Sequence, residues 1–265
     1  MMASGVWAGY IPVEDAWGMK DVFDPTVTVK SELERHQMLG PVPCSHIPGN
    51  GYPLGAHFEL HIEQGPILQE AGKRIGVVKG VQGYRWLTIT IEGRDAHTGT
   101  TPLDMRKDPL LAAARMISAS NDIARRLGAL ASTGILKIPS TSSTNTVASQ
   151  ASFTLDIRHP SDAVVAQVQD ECLKSFNTIA SAEKVRLEWT LDTDSPAVEF
   201  DPTCIETVEG VATRLEGPDG WLHMTSGAGH DSAYASYRCP TSMIFVPCKD
   251  GVSHNPEEYC SPEDW

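Results

Sequence analysis

The chain lacks a C-x-x-C pair, a basic cluster, a repeat of fixed period and a low-complexity tract. No apolar run approaches the ~20 residues of a membrane span. Its six cysteines, at 44, 172, 204, 239, 248 and 260, are scattered. A disulfide scaffold needs a smaller chain and denser spacing, so buried thiols in a reducing compartment are expected. Positive charge is scarce: 21 Lys+Arg against 34 Asp+Glu leave a net charge of −13. That sign argues against nucleic acid and anionic membrane as partners. An anionic substrate would need a local positive group, either a metal ion or a well-placed Arg. The opening MMASGVWAGYIPVEDAWG has neither a basic start nor a long apolar stretch, so no secretory signal is expected. The expectation is a soluble, cytoplasmic protein.

What is present is globular. The 265 residues are 41% hydrophobic and 21% charged, enough chain for one large domain or two smaller ones. Helical spacing appears in pieces over 13–19 and 25–38, and the Pro- and Gly-rich 41–55 reads as a loop. HFELHIEQGP, 57–66, alternates strictly: Phe58, Leu60 and Ile62 on one side of a strand, His57, Glu59, His61 and Glu63 on the other. Either water covers the ionisable side or something positive sits on it. Gly65-Pro66 ends the strand, and a short turn of helix over 67–71 stops at Gly72.

From about residue 80 a different pattern runs. RWLTITIEG alternates. A long amphipathic helix follows, with Asp108 as cap, Pro109 in its first turn and Gly128 as stop. Two strands come next, TGILKIPS and NTVASQASFTLDIR. A second helix capped by Ser161 turns Val164, Val165, Val168, Cys172, Phe176 and Ile179 inward. VRLEWTLD closes the set with Val185, Leu187, Trp189 and Leu191 on one face. The order β-α-β-β-α-β is the split βαβ unit, a four-stranded sheet with two helices on one side. The expected organisation is therefore α/β, with 80–195 inserted into a second domain assembled from 1–79 and 196–265. In that second domain PTSMIFVP reads as an apolar strand. SPEDW reads as a helix start, with Ser261 as cap and Pro262 at N1.

Single residues that could carry chemistry stand at element ends. His61 lies near the end of its strand, where ligands of α/β sheets collect; the plain alternative is a structural or surface His. For His57, Glu59 and Glu63 a solvated face or a small hydrogen-bond network is the preferred reading. His254 follows the apolar strand in GVSHNPE, and His230-Asp231 opens a helix after a Gly-rich loop. His97 sits in a polar loop, where it could donate to a developing oxyanion or simply be exposed. Arg158 ends a strand that Asn145 begins; it could fork a carboxylate or make a surface ion pair.

HIEQGP, GRDAHTGTTPLDMRKD, the 145–158 strand, SGAGHD and GVSHNPEE occur in this order. Together they resemble the N-carbamoyl-L-amino-acid amidohydrolases and the related ureidopropionase and allantoate amidohydrolase groups, within the di-zinc aminopeptidase-like superfamily. The resemblance runs from SGVWAG at 4–9 to SPED at 261–264. It implies a metal-binding α/β catalytic domain with an inserted split-βαβ (ferredoxin-like) lid that also dimerises. It further implies two divalent metals per site (zinc, or manganese, cobalt or nickel), with His61 a ligand of one and His254 of the other. Gln64 would hold the ureido or amide group and His97 would polarise the scissile carbonyl. Asn145 and Arg158 would grip a small-molecule carboxylate substrate, with Gly229 and His230 lining the pocket. The family also uses an H-x-D ligand pair and a Glu-Glu pair that falls shortly before the equivalent of SGVWAG. No H-x-D occurs here, and the only adjacent Glu-Glu is Glu257–Glu258. The expectation is thus an N-terminally truncated chain, without its final helix, whose metal ligand set is incomplete. Three readings stay open: a hydrolase of linear amide and amidine C–N bonds, impaired as this chain alone; a non-catalytic dimerising or carboxylate-binding remnant; and a metallopeptidase of the same superfamily.

Overall fold

The structure, a computed structural model, describes residues 1–264. The chain divides into two compact units, Met1–Val81 with Val198–Trp265, and Gln82–Ala197. The joints fall at 81/82 and 197/198, where the sequence pattern puts them at 79/80 and 195/196.

The inner unit carries a four-strand path of Leu130–Ser132, Gln150–His159, Gly83–Glu92 and Arg186–Ser195, every neighbouring pair antiparallel. Leu136–Lys137 adds a short pairing to Gln150–His159. This is the strand order a split βαβ unit produces. Period-two alternation sends Leu87, Ile89, Ile91, Phe153, Leu155 and Ile157 to one face, each at most 1% exposed. Two helices cover that face. Pro109–Arg126 contributes Ala113 and Met116, and Asp162–Glu183 contributes Val168, Cys172 and Phe176. The Phe153 and Phe176 rings meet edge to face at 5.9 Å, a favoured aromatic geometry. Asp108 caps the first helix, its carboxylate accepting from Leu111 N at 3.0 Å. Ser161 stands at the second helix's N-cap but its side chain accepts no capping bond; instead the neighbouring Asp162 carboxylate accepts from Ala197 N. Trp189 and Leu191 pair with Ile89 and Leu87, on the core side as expected. Yet each keeps 43% exposure, because their strand is the sheet's edge.

The outer unit is a mixed five-stranded sheet. His57–Ile62 lies at an edge, parallel to Thr241–Val246, which runs antiparallel to Ile75–Val81. Ile75–Val81 also pairs with Trp221–Ser226 and the short Val198–Glu199. Helix Pro202–Glu216 presents Val208 and Ala212 to Val77. Asp201 accepts from Cys204 N at 3.0 Å and Pro202 takes the first position, a strong N-terminus signal that the sequence pattern above left unused. Helices Val13–Gly18 and Val29–Arg35 occupy the predicted helical stretches. Pro262–Asp264 forms a single 3-10 turn, with Ser261 Oγ accepting from Glu263 N.

Of the two readings of HFELHI, the solvated ionisable face is not the one found. The apolar side of HFELHI is the exposed one within this unit, with Phe58 at 47% and Leu60 at 44%, while His57, Glu59 and His61 are half-buried. The short helix Asp231–Ala235 packs on this strand and covers its ionisable side. Alternation fixes that two faces differ; it does not fix which one faces the protein.

Candidate metal and substrate site

The covered side of His57–Ile62 is a hydrogen-bonded network. Ser232 donates from its backbone N at 3.0 Å and its Oγ at 2.6 Å to Glu59 Oε2. With its own proton committed to that carboxylate, Ser232 Oγ accepts from His57 Nε2 at 3.1 Å. His230 is 3% exposed, and its ring meets the His61 ring at 4.6 Å between centroids. Its Nδ1 lies 3.8 Å from Glu59 Oε1. Burial pushes the His230 imidazole down to about 4, aided by neighbouring His61, so it is neutral at pH 7. At Glu59 burial favours the acid form, but His57 and the donors of Ser232 outweigh it and hold the carboxyl at about 2. The hydrogen-bond network read for His57 and Glu59 is therefore present. Glu63 makes a separate one, its two carboxylate oxygens accepting from Ile67 N and Leu68 N at the start of helix Ile67–Ala71.

Among the described residues, Glu59, His61 and His230 each offer one ligand atom, and these atoms lie within 4.8 Å of one another. Two imidazoles and a carboxylate are the protein ligands of a common class of open zinc site. The donor set therefore fits a divalent metal, and the chain contains a group able to hold one.

Beyond the strand end, parallel pairing of His61 with Phe245 and Ile62 with Val246 makes both chains emerge on the same side. The loop after Ile62 and the turn containing His254 consequently meet. Gln64 Nε2 donates to Ser253 Oγ at 2.9 Å, and Ser253 Oγ donates to Glu258 at 2.9 Å. Glu258 also accepts from His254 N at 3.1 Å. Gln64 and His254 both hold positive φ, 60° and 57°, a conformation that L-residues adopt at a cost. The approach is close: a Cβ on Gly251 would stand 2.9 Å from Pro66 N, and Gly251 itself has φ of +64°. His61, Gln64, Glu258, Tyr259 and Cys260 line a cavity of about 410 Å³ at this end. His254 is exposed. Gly229 is exposed too, beside the buried His230.

In the inner unit the structure joins His97 to Asn145. Ala96–His97 pairs with Thr146–Val147, and Thr98 N donates to Asn145 O at 2.9 Å. Gly99 N donates to His97 Nδ1 at 3.0 Å. An Nδ1 that accepts leaves the proton of the neutral ring on Nε2, so exposed His97 presents a donor outward. Arg158 is engaged by its strand neighbour: its guanidinium donates to Asp156 at 2.7–3.1 Å and lies over the Tyr84 ring. That is the ion-pair alternative, formed across two residues of one strand. Glu59, Ser232 and Glu258 were not read as site residues. Only Glu59 had a signal, its place in the alternation; Ser232 and Glu258 become neighbours through tertiary contacts.

The chain is 38% identical to the N-carbamoyl-L-amino-acid amidohydrolase of Rhizobium meliloti, over 99% of this chain and 61% of that protein. It is 34% identical to the allantoate amidohydrolase of Escherichia coli (strain K12), over 77% of this chain and 50% of that protein. It superposes on the crystal structure of an amidase of the hydantoinase/carbamoylase family from Burkholderia multivorans with a TM-score of 0.90 and 40% identity. That match covers 99% of this chain and 62% of the other. The chain thus spans half to three fifths of the length of these relatives. No helix among the described residues is long and apolar enough to cross a membrane. The model of peptidase family M20/M25/M40 matches residues 11–265, and the chain belongs to that family.

Proposed function

We propose that this chain is the part of a metal-dependent hydrolase of linear amide and amidine C–N bonds that holds the carboxylate-bearing substrate, an N-carbamoyl amino acid or a related ureido acid. The observation that carries the reading is the Gln64 to Ser253 hydrogen bond, which brings the end of the His61 strand against the His254 turn, in a chain 38% identical to an N-carbamoyl-L-amino-acid amidohydrolase. For a carbamoyl substrate the reaction breaks the bond between the carbonyl carbon and the amino-acid nitrogen. Water supplies hydroxyl to the carbon and a proton to the nitrogen. The chemistry a divalent ion supplies when bound is Lewis-acid activation of water and carbonyl. His61 and His254 are the residues proposed to ligate metal. Gln64, held by Ser253, orients the ureido group. His97 donates from Nε2 to the carbonyl oxygen as charge develops there. Asn145 and Arg158 take the substrate carboxylate, with the Arg158 guanidinium supplying local positive charge in a chain of net −13. Gly229 and His230 border the bound substrate. Residues 82–197 act as the lid and as the surface of a homodimer.

The test is calorimetry and turnover on the metal-loaded chain with N-carbamoyl amino acids, ureidopropionate, allantoate and their decarboxylated analogues. Expected are carboxylate-dependent binding and release of the free amino product, with His97→Gln lowering turnover more than binding and Arg158→Lys weakening binding. Absence of both binding and turnover across the panel refutes the reading.

A further inference from the structure

We infer that the open edge of His57–Ile62 pairs antiparallel with the same strand of a second copy of this chain, centred on Leu60, as an interface separate from the lid. The pairing needs neither metal nor substrate and does not rest on the proposed function.

Among the described residues this strand pairs on one side only, with Thr241–Val246. His57 N and Glu63 N donate toward that neighbour, to Pro240 O and Val246 O, both at 2.9 Å. Backbone groups alternate in direction along a strand, so Phe58, Leu60 and Ile62 turn their N–H and C=O outward. Ile62 O accepts from His61 Nδ1 at 2.7 Å and keeps its second lone pair. Sheet edges are ordinarily blunted by Lys, Pro or a bulge. HFELHI contains no Lys and no Pro, and its register against Thr241–Val246 runs without a shift. Its apolar side is open as well, with Phe58 and Leu60 near half exposed. Phe58 continues into an apolar groove of about 320 Å³ with Val208, Val211 and Leu215 of helix Pro202–Glu216.

The occupant follows from the sequence of the strand. Opposite residues of an antiparallel pair share a face, so a strand that pairs with its own copy about a two-fold axis is centred on a residue, never between two. Centred on Leu60, the run 57–63 lies wholly opposite itself: His57 faces Glu63, Phe58 faces Ile62, Glu59 faces His61, and Leu60 faces Leu60. Every carboxylate then meets an imidazole and every apolar side chain an apolar one, the cross-strand combinations that stabilise a pair. Centring on Glu59 sets that carboxylate against its own copy, and centring on His61 sets Glu59 against Glu63; like charges directly opposite destabilise. Centring on Phe58 or Ile62 runs off the end of the strand. The Leu60 register also makes 58 with 62 and 60 with 60 the hydrogen-bonded pairs, each exchanging both bonds, so every outward group of the edge is used. Each copy contributes the same patch, as an isologous interface requires. Each copy also carries −13, but salt near 0.1 M screens repulsion beyond about 10 Å, and facing side chains are closer than that.

The experiment is sedimentation velocity on the whole chain at micromolar concentration, with cysteine cross-linking to fix the register. Leu60→Lys sets two ammonium groups opposite each other at the two-fold axis. It should halve the molar mass of the assembly, from dimer to monomer or from a larger assembly to the lid dimer. Opposite residues of a hydrogen-bonded pair stand about 5.5 Å apart between Cα atoms, inside the roughly 4.4–6.8 Å that a disulfide spans. Leu60→Cys should therefore give a covalent dimer under mild oxidation, which the parent with its native cysteines does not. Leu60 is near half exposed, and circular dichroism checks the fold of each variant; if Leu60→Lys does not fold, the Leu60→Cys cross-link decides. A parent chain that stays monomeric overturns the inference, whatever else covers the edge. A dimer that survives Leu60→Lys and gives no Leu60→Cys cross-link also overturns it, since that dimer is made by the lid alone. Cross-linking only between Phe58→Cys and Leu60→Cys chains would centre the pair on Glu59 and overturn the register. No metal or substrate enters the measurement, so its failure leaves the proposed function untouched.

Discussion

Replacing His254 separates what its backbone costs from what its imidazole does. The residue holds φ of +57° in the turn that follows Thr241–Val246. A left-handed L-residue costs about 1–2 kcal/mol. Glycine relieves that cost but gives back about 0.5–1 kcal/mol through its larger unfolded-state entropy. His254→Ala removes the same exposed ring while keeping the Cβ, so it retains the strain. The glycine variant should therefore be more stable than the alanine variant by about 0.5–1 kcal/mol. Both keep the backbone bond from His254 N to Glu258, which does not involve the side chain. Urea unfolding of the two variants and the parent, with the slope checked for constancy, measures the difference. Equal stabilities, or a less stable glycine variant, would refute the assignment of strain to this turn. The strain would then have to be absent or relieved by the Glu258 contact. A stable glycine variant with lost metal or substrate binding would mark the turn as one held in a costly conformation for what its side chain binds.

Other outcomes follow from packing and capping. Asp108→Ala should cost about 1 kcal/mol, because it removes the bond to Leu111 N, while Ser161→Ala, whose hydroxyl accepts no capping bond, should fall within about 0.5 kcal/mol of the parent; unfolding of the isolated variants checks both. Phe176→Ala deletes a fully buried ring together with its contact to Phe153 and should cost about 3–5 kcal/mol in urea unfolding. Burial pushes the Cys172 thiol up to about 12, with nearby Glu171 adding to the shift. Its folded pKa thus lies above the unfolded one, so its contribution is fully present below the unfolded thiol pKa, near 8.5, and is lost as pH rises toward 12. Cys172→Ala should flatten the alkaline fall of stability, and thiol reagents at pH 8 should label exposed Cys44 well before Cys172.

The inner unit was legible because its determinants are local and mutually consistent. RWLTITIE and ASFTLDIR alternate over enough residues to leave one register, and Asp108-Pro109 starts a helix whose stripe matches the sheet's apolar face. Three elements of the outer unit escaped notice for different reasons. Ile75–Val81 reads IGVVKGV, apolar nearly throughout, because it is the interior strand of a mixed sheet, and such strands show no alternation. Trp221–Ser226 carries a His and mixed burial that imitate a loop. Helix Pro202–Glu216 had its signal, Asp201-Pro202, in plain view.

The site was legible by residue type and not by partnership. His61, His230 and His254 stand out as imidazoles at element ends, where ligands of α/β sheets collect, but which of them share a pocket is decided by sheet order. His57–Ile62 and Thr241–Val246 are remote in sequence, and only their parallel pairing places Gln64 beside the His254 turn. The same pairing leaves His57–Ile62 at the sheet edge, where Asp231–Ala235 covers one face and neither covers nor pairs the other. Had Phe58 and Leu60 been the inward face, Glu59 would have turned away from Ser232, and His61 away from His230. The inward turn of the ionisable face is thus the physical origin of the donor group. A strand that turns its carboxylate and imidazoles inward and leaves Phe58 and Leu60 about half exposed gains less hydrophobic stabilisation than the opposite choice would give. It must satisfy each polar group instead, and Ser226, Ser232 and the Ile62 carbonyl do so while leaving three donors pointed at one another.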